Sequence, residues 1–111
     1  MSNTDTPLAH LRFGDGPRPI LLLHGFLGSA RNLAAIGRML AERDPRRTAW
    51  IFDLPGHGAS PPLPPGANLA TAATHVLTTA RALGLPGPWP IIGHSLGGRV
   101  ALGAGRVEPA A

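Results

Sequence analysis

The chain has 111 residues, 43% of them hydrophobic, with no cysteine and a formal charge of +4. That is the size and make-up of one small globular domain, and it excludes disulfide frameworks, thiolate metal sites and disordered or collagen-like chains. All ten basic residues are Arg, scattered rather than striped, and two Trp and three Phe are too few for a stacking platform, so no nucleic-acid partner is expected.

In chain order, residues 8–13 alternate loosely and predict an edge strand before a turn at Gly14-Asp15-Gly16-Pro17. Three short, almost wholly apolar runs follow, Ile20–Leu23, Ala49–Phe52 and Trp89–Ile92. They lack polar alternation and fit strands buried on both faces of a parallel sheet. Between the first two, a helix capped by Ser29 carries Leu33, Ile36 and Leu40 on one face and ends at Asp44-Pro45. Residues 61–66 form a stiff, polyproline-like connector. A second helix runs from about Leu69 to Leu83, with Ala73, Val76, Leu77 and Ala80 on one side and Gly84 and Pro86 to stop it. A third begins at Leu96 and passes through Val100, Leu102 and Val107 towards Pro109. His10 reads as an edge residue and His75 as a helix-surface residue, neither with a role. The alternation predicts an α/β domain with right-handed crossovers.

The sharpest local signal is Gly93-His94-Ser95-Leu96-Gly97, a G-x-S-x-G run between a predicted strand and a predicted helix. The two glycines clear side chains from a sharp turn, so that Ser95 is raised over the sheet rim as a nucleophile. The Leu96 amide, at a helix N-terminus, then faces the same space and suits an oxyanion. A second donor should come from a neighbouring strand end, and Phe26, in His24-Gly25-Phe26-Leu27-Gly28, is the candidate. His24 reads as a buried imidazole bracing this loop, with the alternative of a general base. Asp53-Leu54-Pro55-Gly56-His57-Gly58 reads as a turn organised by Asp53, Gly56 and His57. A metal site there lacks ligands at suitable spacing, so no metal is expected. His94 either lines the pocket or packs below it.

Together these three motifs, in this order and spacing, resemble the α/β-hydrolase fold superfamily over roughly residues 8–107. The resemblance implies an α/β fold with a mostly parallel sheet, Ser95 as nucleophile, and Phe26 and Leu96 as the oxyanion-hole amides. It further implies cleavage of an ester, thioester, amide or C–C bond in a small-molecule substrate, without a cofactor. Asp-Leu-Pro-Gly-His-Gly together with Ser-Leu-Gly-Gly-Arg-Val is also similar to the SHCHC synthase family of menaquinone biosynthesis, lyases that eliminate pyruvate. In that family the Arg after the double Gly helps bind a substrate carboxylate, and Arg99 stands at that position; His94 departs from the Tyr common there. The alternative for Arg99 is a solvated helix residue.

In this fold the triad runs Ser, then an acid, then His. After Ser95 come one acid, Glu108, and no His. Thirteen residues along a helix put Glu108 roughly 20 Å from Ser95, beyond reach. Residues 1–111 therefore read as the N-terminal segment of one α/β-hydrolase domain, lacking later strands, cap, triad acid and triad His. Such a segment alone is expected to be inactive, and a remnant acting as a binding module is the non-enzymatic alternative. No apolar run approaches the about 18 residues of a membrane span, and no secretory signal opens the chain, so a cytoplasmic location and no membrane partner are expected.

Overall fold

A computed structural model describes residues 7–25, 28–55, 57, 60, 68–85, 87, 89–94 and 96–107. Phe26, Gly56, Ser95, the 61–66 connector, Pro86, Glu108 and Pro109 lie outside the described residues.

Four strands, β1 (His10–Phe13), β2 (Arg18–Leu23), β3 (Arg47–Phe52) and β4 (Ile91–Gly93), make one sheet in the order β1-β3-β2-β4. β2 runs parallel to both β3 and β4, and β1 pairs antiparallel with β3. A 3-10 turn, Ala30–Leu33, leads into α1 (Ala34–Arg43); α2 (Leu69–Ala82) and α3 (Leu96–Val107) complete the fold.

Strand side chains alternate between faces, and both faces of β2 and β3 are buried. Leu21, Leu23 and Phe52 pack with Ala73, Val76, Leu77 and Ala80 of α2 and Val100 and Ala104 of α3. Ile20, Leu22, Ala49 and Ile51 face the other way, towards Ala30, Leu33 and Leu40. Both faces being covered explains why these runs lack polar residues. Each fully buried Leu, Ile or Phe contributes about 1.5–3 kcal/mol through removal from water.

The ends of α2 are locally encoded. Asn68 Oδ1 accepts the Thr71 N–H (3.1 Å), while Thr71 Oγ1 accepts the Asn68 N–H (3.3 Å), a reciprocal cap. At the other end Gly84 adopts a φ of 72°. The Leu85 N–H reaches the Ala80 carbonyl (3.1 Å) and the Gly84 N–H the Arg81 carbonyl (2.9 Å), a Schellman stop.

Three expectations are corrected. Ile36, expected on the buried stripe of α1, is 44% exposed; Gly37 is buried there instead, against Ile51 and Phe13. A helix lying this close to the sheet presents its smallest residue. On α3 itself Leu102 is 74% exposed, while Val100 and Ala104 are buried. His75 is fully buried rather than on a helix surface; α2 packs against α3, and the Leu8 N–H donates to Thr79 Oγ1, one turn along from His75. The last strand is only Ile91–Gly93, with Trp89 and Pro90 preceding it. The Pro90 carbonyl still accepts the Leu21 N–H (2.9 Å).

Candidate active site

The sheet register gathers the three motifs. Leu23 at the end of β2 lies beside Phe52 at the end of β3 and Gly93 at the end of β4. His24, Asp53 and His94 therefore leave the sheet from one row, at the carboxyl ends of its parallel strands. This rim is where open α/β sheets bind ligands.

The turn from β4 into α3 is built on close backbone approach. The His94 N–H donates to the Leu23 carbonyl (3.0 Å), and the Gly97 N–H to the His94 carbonyl (2.9 Å). A Cβ on Gly97 would collide with the Leu23 carbonyl and lie 2.6 Å from the His24 oxygen. A Cβ on Gly93 would strike the Gly97 carbonyl and sit 2.5 Å from the Gly98 nitrogen. Only residues without a side chain let β4, its turn and the first turn of α3 press against the end of β2. Leu96 opens α3, so its N–H belongs to the first turn, whose amides have no intrahelical acceptor. Ser95 and Phe26, the predicted nucleophile and second donor, fall outside the described residues. His94 is exposed.

His24 is fully buried. Its Nε2 accepts the Leu54 N–H (2.9 Å), and its Nδ1 lies 2.7 Å from the Gly25 carbonyl. Both ring nitrogens are engaged by backbone, which leaves none to relay a proton. The His57 ring tilts against it at 5.2 Å, and His57 Nδ1 lies 3.0 Å from the Pro55 carbonyl. The Asp53 carboxylate reaches across to the other loop, where Oδ1 accepts the Ala30 N–H (2.6 Å). The local turn is closed by backbone, the His57 N–H donating to the Leu54 carbonyl (2.9 Å). Ser29 caps the 3-10 turn by position, with Asn32 Oδ1 accepting its N–H (2.7 Å).

Sequence reasoning missed Ser60. Its Oγ accepts the Ala9 N–H (2.9 Å) and donates to the Asp53 carbonyl (2.5 Å), tying the β3 loop to the entry of β1. The available signal was a Ser closing a Gly-rich turn, a place where hydroxyls bond backbone. Arg99 is exposed on α3, on an open groove of about 690 Å³ along β4 that Trp89, Ile91 and Leu102 also line.

Residues 18–109 match the alpha/beta hydrolase fold family, and the chain belongs to it. It is 33% identical over 93 residues to the sn-1-specific diacylglycerol lipase of Danio rerio, covering 82% of this chain and 28% of that protein. It is equally 33% identical over 93 residues to the 2-succinyl-6-hydroxy-2,4-cyclohexadiene-1-carboxylate synthase of Salmonella agona, covering 84% and 34%. Among solved structures it resembles a thermophilic esterase from Thermogutta terrifontis, with a TM-score of 0.83 and 30% identity over 93% of this chain and 36% of that one. The chain thus spans about a third of the length of these relatives and forms a partial α/β-hydrolase fold. By name the first is a lipase, the second a synthase and the third an esterase, so the relatives of this fold are enzymes of more than one reaction class. Among the described residues no helix is long and apolar enough to cross a membrane.

Proposed function

We propose that this segment supplies the nucleophile and oxyanion hole of a serine hydrolase acting on a small-molecule ester, thioester or related carbonyl compound. Ser95 Oγ attacks the carbonyl carbon, and the carbonyl electron pair moves onto oxygen. The Phe26 and Leu96 amides hold that oxyanion. Collapse expels the alcohol or thiol and leaves an acyl-serine, which water releases. The Ser95 proton passes to a His base that an acid orients. His24 is not that base, because both its nitrogens already serve backbone.

The supporting observation is the approach of Gly97 to the Leu23 and His24 carbonyls, which sets the N-terminus of α3 beside the β2 loop. A fluorophosphonate probe applied to the protein with its hydrolase domain complete should label Ser95, and Ser95→Ala should abolish both labelling and turnover. Full activity in Ser95→Ala removes the reading.

The identity to the Salmonella synthase and the exposed guanidinium of Arg99 favour a second reading, a lyase that eliminates pyruvate. There Arg99 pairs with a substrate carboxylate through two hydrogen bonds. Arg99→Ala then cripples turnover of the menaquinone intermediate while leaving ester hydrolysis untouched. Unaltered lyase kinetics count against it.

A further inference from the structure

α1 packs on the sheet through its smallest residue. A Cβ on Gly37 would come within 2.8 Å of the Ile51 side chain, and Leu40 joins the cluster of Ile20, Leu22 and Ile51. This close approach leaves Ile36 and Met39 outside, 44% and 45% exposed. Steps of three and four residues put Ile36, Met39 and Arg43 along one side of the helix.

Positive charge surrounds this apolar pair. Residues 30–47, from the 3-10 turn to the start of β3, hold five arginines, Arg31, Arg38, Arg43, Arg46 and Arg47, against Glu42 and Asp44. That excess is three of the chain's four net positive charges. Asp44 is engaged within the cluster, by Arg46 at 3.1 Å and Arg47 at 3.6 Å. Arg31, Arg38 and Arg43 are exposed, and the Arg38 guanidinium lies 5.1 Å over the Phe13 ring, on the β1 side of the helix.

We propose that the outer face of α1 rests on an anionic lipid surface, with Ile36 and Met39 entering the headgroup boundary and Arg31, Arg38 and Arg43 pairing with lipid phosphates. A guanidinium offers a phosphate two parallel hydrogen bonds, and its aliphatic stem lies along apolar surface while the head stays in a polar layer. The side of a single helix is convex, which suits a fluid interface; a folded acidic partner needs a groove to bury these side chains. On a nucleic acid the arginines find phosphates, but Ile36 and Met39 still face water. α1 lies on the interface rather than crossing it. The lack of a spanning run, on which the expectation of no membrane partner rests, therefore leaves this contact open. The contact is independent of the chemistry proposed for Ser95.

The test is flotation of the full chain with lipid vesicles, in which bound protein rises and aggregated protein sinks. The chain should float with vesicles of equal parts phosphatidylcholine and phosphatidylglycerol, and hardly at all with phosphatidylcholine alone. Salt at about 1 M, where the screening length is about 3 Å, should release most of it. Arg31→Gln and Arg43→Gln should each weaken partitioning about fivefold. Ile36→Gln combined with Met39→Gln keeps good helix formers on an exposed face; it should weaken partitioning about tenfold or more while the far-ultraviolet circular dichroism stays that of the parent. Equal flotation on neutral and anionic vesicles overturns the proposal, as does unchanged partitioning in the Ile36→Gln, Met39→Gln variant. Loss of flotation in Leu102→Gln but not in the α1 variants overturns it in favour of the groove along β4. A change of oligomeric state in the Ile36→Gln, Met39→Gln variant, with flotation unaltered, overturns it in favour of an interface between copies of this chain.

Discussion

Gly97 lies so close to the backbone of Leu23 that a Cβ on it would occupy the space of the Leu23 carbonyl oxygen. The contact joins the start of α3 to the end of β2, two elements far apart in sequence. It also governs how near the Leu96 amide comes to the β2 loop. Gly97→Ala must push backbone against backbone, which no rotamer change relieves. The expected cost is about 3 kcal/mol or more, of the order of severe overpacking. Urea unfolding followed by Trp fluorescence measures it, and the loss of Ser95 labelling should exceed what the lowered stability explains.

The ends of α2 offer a milder comparison. Gly84 sits at a φ of 72°, and a methyl added there would meet nothing within 4 Å, so Gly84→Ala faces only backbone strain. That costs about 1–2 kcal/mol. Asn68→Ala removes the acceptor for the Thr71 amide and costs about 1 kcal/mol. Gly84 closes the end of α2 that leads into β4, away from the carboxyl ends of the strands, so in Gly84→Ala the urea midpoint should fall while the Ser95 labelling rate of the folded protein holds.

Leu22 and Leu102 are the same residue type in opposite settings. Leu22 is fully buried and Leu102 is 74% exposed. Leu22→Ala should destabilise by about 2–5 kcal/mol, through lost transfer energy and a cavity. Leu102→Ala should fall within about 0.5 kcal/mol of the parent. Equal effects would mean that the exposed face of α3 is covered in solution.

β4 is the edge of the described sheet beyond β2, and it carries the half-exposed Ile92. Apolar edge strands template association with other chains. Ile92→Lys should reduce light scattering and raise the monomer fraction of the isolated segment in size-exclusion chromatography. No change would locate the association surface elsewhere.

Asp44 caps the C-terminus of α1 and receives hydrogen bonds from the Arg46 side chain and backbone, which hold its carboxyl below the ordinary 3.8. A carboxyl lowered in the folded state stabilises above its unfolded value and loses that stabilisation as pH falls through the folded one. Asp44→Asn should therefore lower the urea midpoint slightly at neutral pH, and the two proteins should converge in acid. A difference that persists in acid would show that charge is not the source.

The sheet and the α2 face were legible because their residues obey simple periods. Leu21, Leu22 and Leu23 are apolar on both faces since helices cover both, and Ala73, Val76, Leu77 and Ala80 follow the helical turn. The register of α1 was not legible from hydrophobicity. Gly37 faces Ile51, and a hydrophobic stripe cannot distinguish a glycine needed for close approach from one merely tolerated. His75 misled because its polarity argues for a surface, whereas it is fully buried. At the rim, the glycine spacing around position 95 predicted tight backbone contact. The cross-loop reach of Asp53 to Ala30 had no sequence signal, since it depends on two strands meeting in register.

In the serine hydrolase proposed above, the Ser95 hydroxyl faces two amide protons across the sheet rim. The most direct measurement is a crystal structure of the complete hydrolase domain after reaction with a fluorophosphonate. The expected result is a phosphorus–oxygen bond to Ser95 Oγ, with a phosphonyl oxygen within about 3.1 Å of the amide nitrogens of residues 26 and 96. An adduct on another residue, or a phosphonyl oxygen turned to solvent away from both amides, would contradict it.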